Sequence, residues 1–133
     1  MLKQVDHIGI AVRSLDEAVK AYKEIFGLEP KVVEMHDAFK VRIAFIPVGD
    51  VLIEFIEATD DSSVIAEWIK KHGESINHIA YRVVNIDERL RELKEMGVKL
   101  VHDKAIPGGD DSKIALISPE FTNNIITELV ERK

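Results

Sequence analysis

One stretch of this chain is written twice. Asp6-His7-Ile8-Gly9-Ile10-Ala11-Val12 returns as Asn77-His78-Ile79-Ala80-Tyr81-Arg82-Val83 at an offset of 71 residues. Val51-Leu52-Ile53-Glu54-Phe55-Ile56-Glu57 returns as Ile125-Ile126-Thr127-Glu128-Leu129-Val130-Glu131 at an offset of 74. Between them Ser14-Leu15-Asp16-Glu17 matches Asn85-Ile86-Asp87-Glu88, and Lys23-Glu24 matches Lys94-Glu95. An internal duplication is the simplest cause. Two copies are too few for a solenoid that buries its core by stacking many units. The halves are therefore expected to pack on each other or across a dimer.

A half of about 65 residues is marginal for independent stability. The whole chain of 133 residues, 46% hydrophobic and 32% charged, suits one soluble globular domain. The expected organisation is a single domain over 1–133: a first module over about 1–58, a connector over 59–74 and a second module over about 75–133. No apolar run approaches the ~18 residues of a membrane span, and the first residues lack an apolar signal segment. A cytoplasmic protein is expected. With no Cys there is neither a disulfide nor a thiolate metal site, so a bound metal would rely on imidazole, carboxylate and water. The formal charge of −6, with Lys and Arg scattered among acids, argues against a nucleic-acid surface.

Hydrophobic periodicity gives the coarse order of elements. Gln4 to Val12 alternates as a strand, with Ile8, Ile10 and Val12 on a packing face and His7, Gly9 and Ala11 on a face kept small. Ser14 and Glu17 form a capping box ahead of Leu15, Ala18, Val19, Tyr22, Ile25 and Phe26 at helical spacing, and Gly27 closes the helix. Strands follow at Lys31–Met35, Lys40–Val48 and Val51–Glu57, the last two joined through a tight turn at Gly49-Asp50. The connector carries a short helix from Val64 to His72, stopped by Gly73. The second module repeats the order: strand Ile76–Val84, helix Ile86–Met96 capped by Asn85, then strands Lys99–His102, Lys113–Ser118 and Asn124–Glu131. Pro107-Gly108-Gly109-Asp110-Asp111 reads as a long loop without a counterpart. Each module is thus βαβββ.

His7 and His78 have small strand neighbours, and Glu54 lies within an otherwise apolar strand. A buried carboxylate must be paired or metal-bound, because an isolated buried charge is costly. A lone strand His is usually structural, and a lone strand Glu usually faces water. Both types recurring at matched places in both copies favours a four-ligand divalent metal site made of His7, Glu54, His78 and Glu128. His36, His72 and His102, at element ends with no repeat partner, are assigned to the surface. The Trp68, Ile65 and Ile69 stripe reads as packing.

These residues resemble the vicinal oxygen chelate superfamily, and within it the methylmalonyl-CoA epimerases. The resemblance rests on Asp6 to Val12, Ala44-Phe45-Ile46-Pro47-Val48-Gly49-Asp50, Ile53-Glu54, His72 to Ala80 and Glu128-Leu129-Val130-Glu131, and covers the whole chain. It implies an α+β fold of two βαβββ modules forming a U-shaped open mixed sheet around one divalent ion (cobalt, nickel, manganese, zinc or magnesium) held by the same four residues. It further implies an isomerase that epimerises methylmalonyl-CoA or a similar 2-substituted acyl-CoA through a stabilised enolate. Glu128 is then both ligand and catalytic base, with no separate organic cofactor. The family pattern differs at Gly108 to Ser112, at Ser118-Pro119 and at Asn123-Asn124, and Ile43 stands where some epimerases carry a carboxylate. A lactoylglutathione lyase using the same ligands, and a non-catalytic small-molecule binding module, are the alternative functions. A homodimer that covers the open sheet edges is expected, with a small-molecule thioester as the ligand.

Overall fold

A computed structural model describes all 133 residues. In the first repeat β1 (Gln4–Ala11) leads to α1 (Leu15–Phe26), then to β2 (Val32–His36), β3 (Val41–Val48) and β4 (Val51–Ala58). A helix α2 (Val64–His72) follows. The second repeat runs β5 (Ser75–Arg82), α3 (Ile86–Glu95), β6 (Ile106–Gly108), β7 (Ser112–Ile117) and β8 (Thr127–Glu131). Within the repeats the strands are ordered β2-β3-β4-β1 and β6-β7-β8-β5, and the eight-stranded sheet reads β2-β3-β4-β1-β5-β8-β7-β6. In both copies the first strand pairs parallel to the last, β1 with β4 and β5 with β8, while the other neighbours pair antiparallel. The duplication read from sequence is thus a duplication of topology, in a mixed α+β fold.

Two compact units divide the chain, one of His7–Asn77 and one of Met1–Asp6 with His78–Lys133. In the first, the amphipathic face of α1 packs Leu15, Ala18, Val19 and Tyr22 on Val12, Ala44, Ile46 and Phe55. The opposite face of the same strands carries Ala11, Val41, Ile43, Phe45, Leu52 and Ile56, and Ile65, Trp68 and Ile69 of α2 lie on it. The connector helix is therefore core cover, each fully buried aliphatic side chain contributing about 1.5–3 kcal/mol. In the second unit α3 buries Ile86 and Leu90 against Val83, Ala115, Ile117 and Leu129.

Helix ends follow the local chemistry. The Ser14 hydroxyl accepts from the Glu17 amide at 3.2 Å, and Gly27 takes φ 69° to end α1. A second device occurs in both copies. The Leu15 amide donates to Glu57 Oε2 and the Ile86 amide to Glu131 Oε1, each at 2.9 Å. A carboxylate there satisfies an orphan N–H and complements the helix dipole. Gly49 at φ 61° allows the two-residue β3–β4 hairpin, where Val48 pairs with Val51.

The second repeat departs from expectation. Lys99–His102 is not a strand; only Leu100 makes a single bridge, to Ile117. The strand forms instead at Ile106–Gly108, inside the segment read as loop. Pro107 cannot donate to a ladder, which is tolerated because β6 is the sheet edge. Asn85 precedes α3 but makes no side-chain cap, sitting at φ 53° while Glu131 serves the helix end. Strand β8 begins at Thr127, three residues after the expected start, since Asn123 and Asn124 take positive φ. Strand β1 packs on both faces: Ala11 is fully buried and His7 is 3% exposed, so the small face is no less a core face than that of Ile10 and Val12.

Candidate metal centre

Strand register builds one motif twice. On β4, Glu54 lies directly opposite Gly9 of β1, two residues beyond His7. On β8, Glu128 lies directly opposite Ala80 of β5, two residues beyond His78. Directly paired residues share a face of the sheet, and the small residue opposite each Glu leaves room for the carboxylate to fold over it toward the His. Oε1 of Glu54 comes to 3.5 Å from Nε2 of His7. Oε2 of Glu128 comes to 3.7 Å from Nε2 of His78.

These separations exceed the usual hydrogen-bond length of about 2.9 Å. They suit shared ligation: two ligand atoms each about 2.1 Å from one ion stand about 3.0 Å apart at an octahedral right angle and about 3.4 Å apart at the tetrahedral angle. All four residues are buried. The Phe45 ring meets the His7 ring edge-on, with centroids 5.5 Å apart, and so restricts its rotation. Imidazole with carboxylate is a donor set for borderline and hard divalent cations. Within each pair the donors fit such an ion in burial and chemistry, at separations slightly longer than that ligand spacing.

The remaining histidines divide. His72 is exposed and lies against Trp68, and His102 is exposed. His36, expected at the surface, has a side chain only 19% exposed, with its Nε2 2.7 Å from Glu34 Oε1.

One buried polar group escaped the sequence reading. Asp6 is fully buried, with Arg82 Nη2 2.8 Å from its Oδ1 and Arg132 Nη2 2.6 Å from its Oδ2. Arg132 Nη1 also donates to the Gly109 carbonyl at 3.2 Å, tying the β6–β7 turn to the same cluster. A signal existed: in the repeat, Arg82 takes the place of Ala11 and Arg132 that of Ala58. The nearby Asp110 and Asp111 are met by Arg132 at 4.0 Å and by Lys133 at 2.9 Å.

Residues 6–116 match the model of the Glyoxalase/Bleomycin resistance protein/Dioxygenase superfamily, and the chain belongs to that superfamily. It is 35% identical to the uncharacterized protein YqjC of Bacillus subtilis (strain 168), over 99% of this chain and 94% of that one. It is similar to the crystal structure of methylmalonyl-CoA epimerase from Mycobacterium tuberculosis, with 34% identity, a TM-score of 0.94 and coverage of 99% of this chain and 89% of that chain. The Streptomyces coelicolor methylmalonyl-CoA epimerase in complex with 2-nitronate-propionyl-CoA matches with a TM-score of 0.94 at 29% identity, over 98% of this chain and 95% of that chain. No helix is long and apolar enough to cross a membrane.

Proposed function

We propose that this protein is a divalent-metal-dependent epimerase of methylmalonyl-CoA or a similar 2-substituted acyl-CoA, with His7, Glu54, His78 and Glu128 around one ion. The observation that carries the reading is the repeated His–Glu motif, two buried pairs built by the same register in two copies of one module. Support also comes from the grouping of His7, Glu54 and His78, whose ligand atoms lie within 4.8 Å of one another; Glu128 stands outside that group, beside His78. The CoA thioester in the Streptomyces coelicolor complex favours this substrate class over a glutathione adduct or a purely binding role.

The hydrogen to be moved sits between a thioester and a carboxylate, on a weak carbon acid. A bound divalent cation supplies Lewis-acid stabilisation of the oxygens that gain negative charge. The chain's own groups handle the proton. Glu128, fixed beside His78, takes it from one face of the carbon, and burial keeps water from competing. The reading extends to a homodimer, since the edge strand β2 leaves Val33 and Met35 exposed.

The test is solvent-deuterium incorporation into methylmalonyl-CoA by the purified protein supplied with cobalt, nickel, manganese, zinc or magnesium in turn. Exchange is expected with at least one ion. Glu128→Gln is expected to slow exchange by ~100-fold or more, the scale of general-base catalysis, with metal content measured in the same samples. A variant that keeps its metal and exchanges at the parent rate removes Glu128 from the mechanism.

A further inference from the structure

Within the His7–Asn77 unit, register sets the surroundings of the His7 ring. Leu52 of β4 lies directly opposite His7, and Glu54, two residues on, lies opposite Gly9. On β3, Pro47 lies opposite Leu52 and Phe45 opposite Glu54. Directly paired residues share a face, so one row across that face reads Gly9, Glu54, Phe45 and the next reads His7, Leu52, Pro47. Gly9 contributes no side chain to its row. The Phe45 and His7 rings lean toward each other between the rows, with centroids 5.5 Å apart and planes at 75°. Phe45 is itself held fast, being 1% exposed and in one buried cluster with Ala11, Ile43, Leu52, Ile56 and Ile65.

The His7 nitrogen turned to Glu54 is Nε2, 3.5 Å from Oε1. That placement depends on the orientation of the ring. An imidazole turns about the Cα–Cβ and Cβ–Cγ bonds, and a half-turn about the second would put Cε1 where Nε2 stands. A ring free to turn gives up that freedom when it binds an ion, whereas a ring already held gives up little. An edge-on ring pair at this separation is attractive beyond the area it buries, and so supplies the hold.

We infer that Phe45 is a positioning residue, which keeps the His7 imidazole with Nε2 toward Glu54 and so raises the affinity of these ligands for a divalent ion. This rests on the metal-site reading above. The fold itself does not demand a ring at this place. In the second copy the matching residue, directly opposite Glu128, is Leu116. A strand of this register therefore accepts an aliphatic side chain beside its Glu, and Phe45→Leu is a substitution the architecture already contains.

The experiment measures affinity for the ion that the parent protein retains, among cobalt, nickel, manganese, zinc and magnesium, by competition with a chelator. The unfolding midpoint of the metal-free samples is taken alongside. Phe45→Leu should weaken binding about 2- to 12-fold, which is an edge-on contact of about 0.5–1.5 kcal/mol converted at about 1.4 kcal/mol per tenfold. Phe45→Met fills much of the same space without a ring, should weaken binding equally, and carries the test alone if Phe45→Leu does not fold. The control is Phe55→Leu. Phe55 follows Glu54 in sequence but belongs to the cluster under α1, where its ring meets that of Tyr22 edge-on with centroids 4.8 Å apart. Its substitution removes a buried ring of the same size and should lower the midpoint, yet leave the parent's affinity. Unchanged affinity in both Phe45 variants overturns the assignment. Equal weakening by Phe55→Leu also overturns it, because loosened packing would then be the cause, as does full affinity in Phe45→Met, because filled volume would then be the cause. A parent that retains none of these ions is a different result: it removes the metal-site reading, and this inference with it.

Discussion

The two copies of the module hold the same His–Glu pair but finish the same face in opposite ways. Beyond Glu54 in the first copy, Ala11 and Ala58 leave space that Ile65 of α2 covers with hydrocarbon. Beyond Glu128 in the second, the matching positions are Arg82 and Arg132, and their guanidinium groups close on the buried carboxylate of Asp6. The first copy is finished by a helix and hydrocarbon, the second by an ion cluster. The duplicated motif thus survives because register preserves it, while each copy solves its burial with different chemistry.

The largest expected effect breaks the ionic solution. Asp6→Ala would leave Arg82 and Arg132, whose side chains are 35% and 15% exposed, without their shared counter-charge. Removing one partner of a buried pair typically costs about 3–5 kcal/mol, and the partial exposure of both arginines puts this loss at the lower end. Urea unfolding should report a loss of that size, and a loss below about 1 kcal/mol would mean the cluster is not a structural keystone. The apolar solution is tested next. Ile65→Ala is expected to cost about 2–4 kcal/mol, in the range for deleting a buried aliphatic side chain. Amide hydrogen exchange should then rise in β3 and β4 before β7 and β8, because Ile65 belongs to the first cluster alone. Equal loss of protection in all four strands would contradict the contrast between the copies.

Much of this was legible in the sequence, for identifiable reasons. The repeat was visible because strand register tolerates little drift around His7, Glu54, His78 and Glu128. Helix α1 was bounded by Ser14 and Gly27 and the end of α2 by Gly73, and these caps form in the structure, whereas the Ser63 cap of α2 was not read from the sequence. What stayed hidden depended on partners distant in the chain. The strand at Ile106–Gly108 contains Pro and Gly, and only its edge position makes it possible. Lys99 to His102 alternates like a strand but finds a single bridge. Glu57 and Glu131 stood in plain sight in both copies; their role at Leu15 and Ile86 needed the fold, because each cap spans more than forty residues. Glu34 and His36 could be named as neighbours in sequence, but only pairing with Ile43 and Val41 shows that they share a face with Glu54.

The central claim is that two matched pairs make one metal site, and metal stoichiometry addresses it most directly. Purified protein saturated with each candidate divalent ion and freed of excess should retain one ion per chain. His7→Ala and His78→Ala should each weaken binding by a similar factor, although they lie in different copies. Affinity should also fall with acid, because imidazole and carboxylate ligands must give up their protons to bind a metal. Two ions per chain, each lost independently with its own histidine, would show two separate pairs, and full retention in both variants would contradict the account.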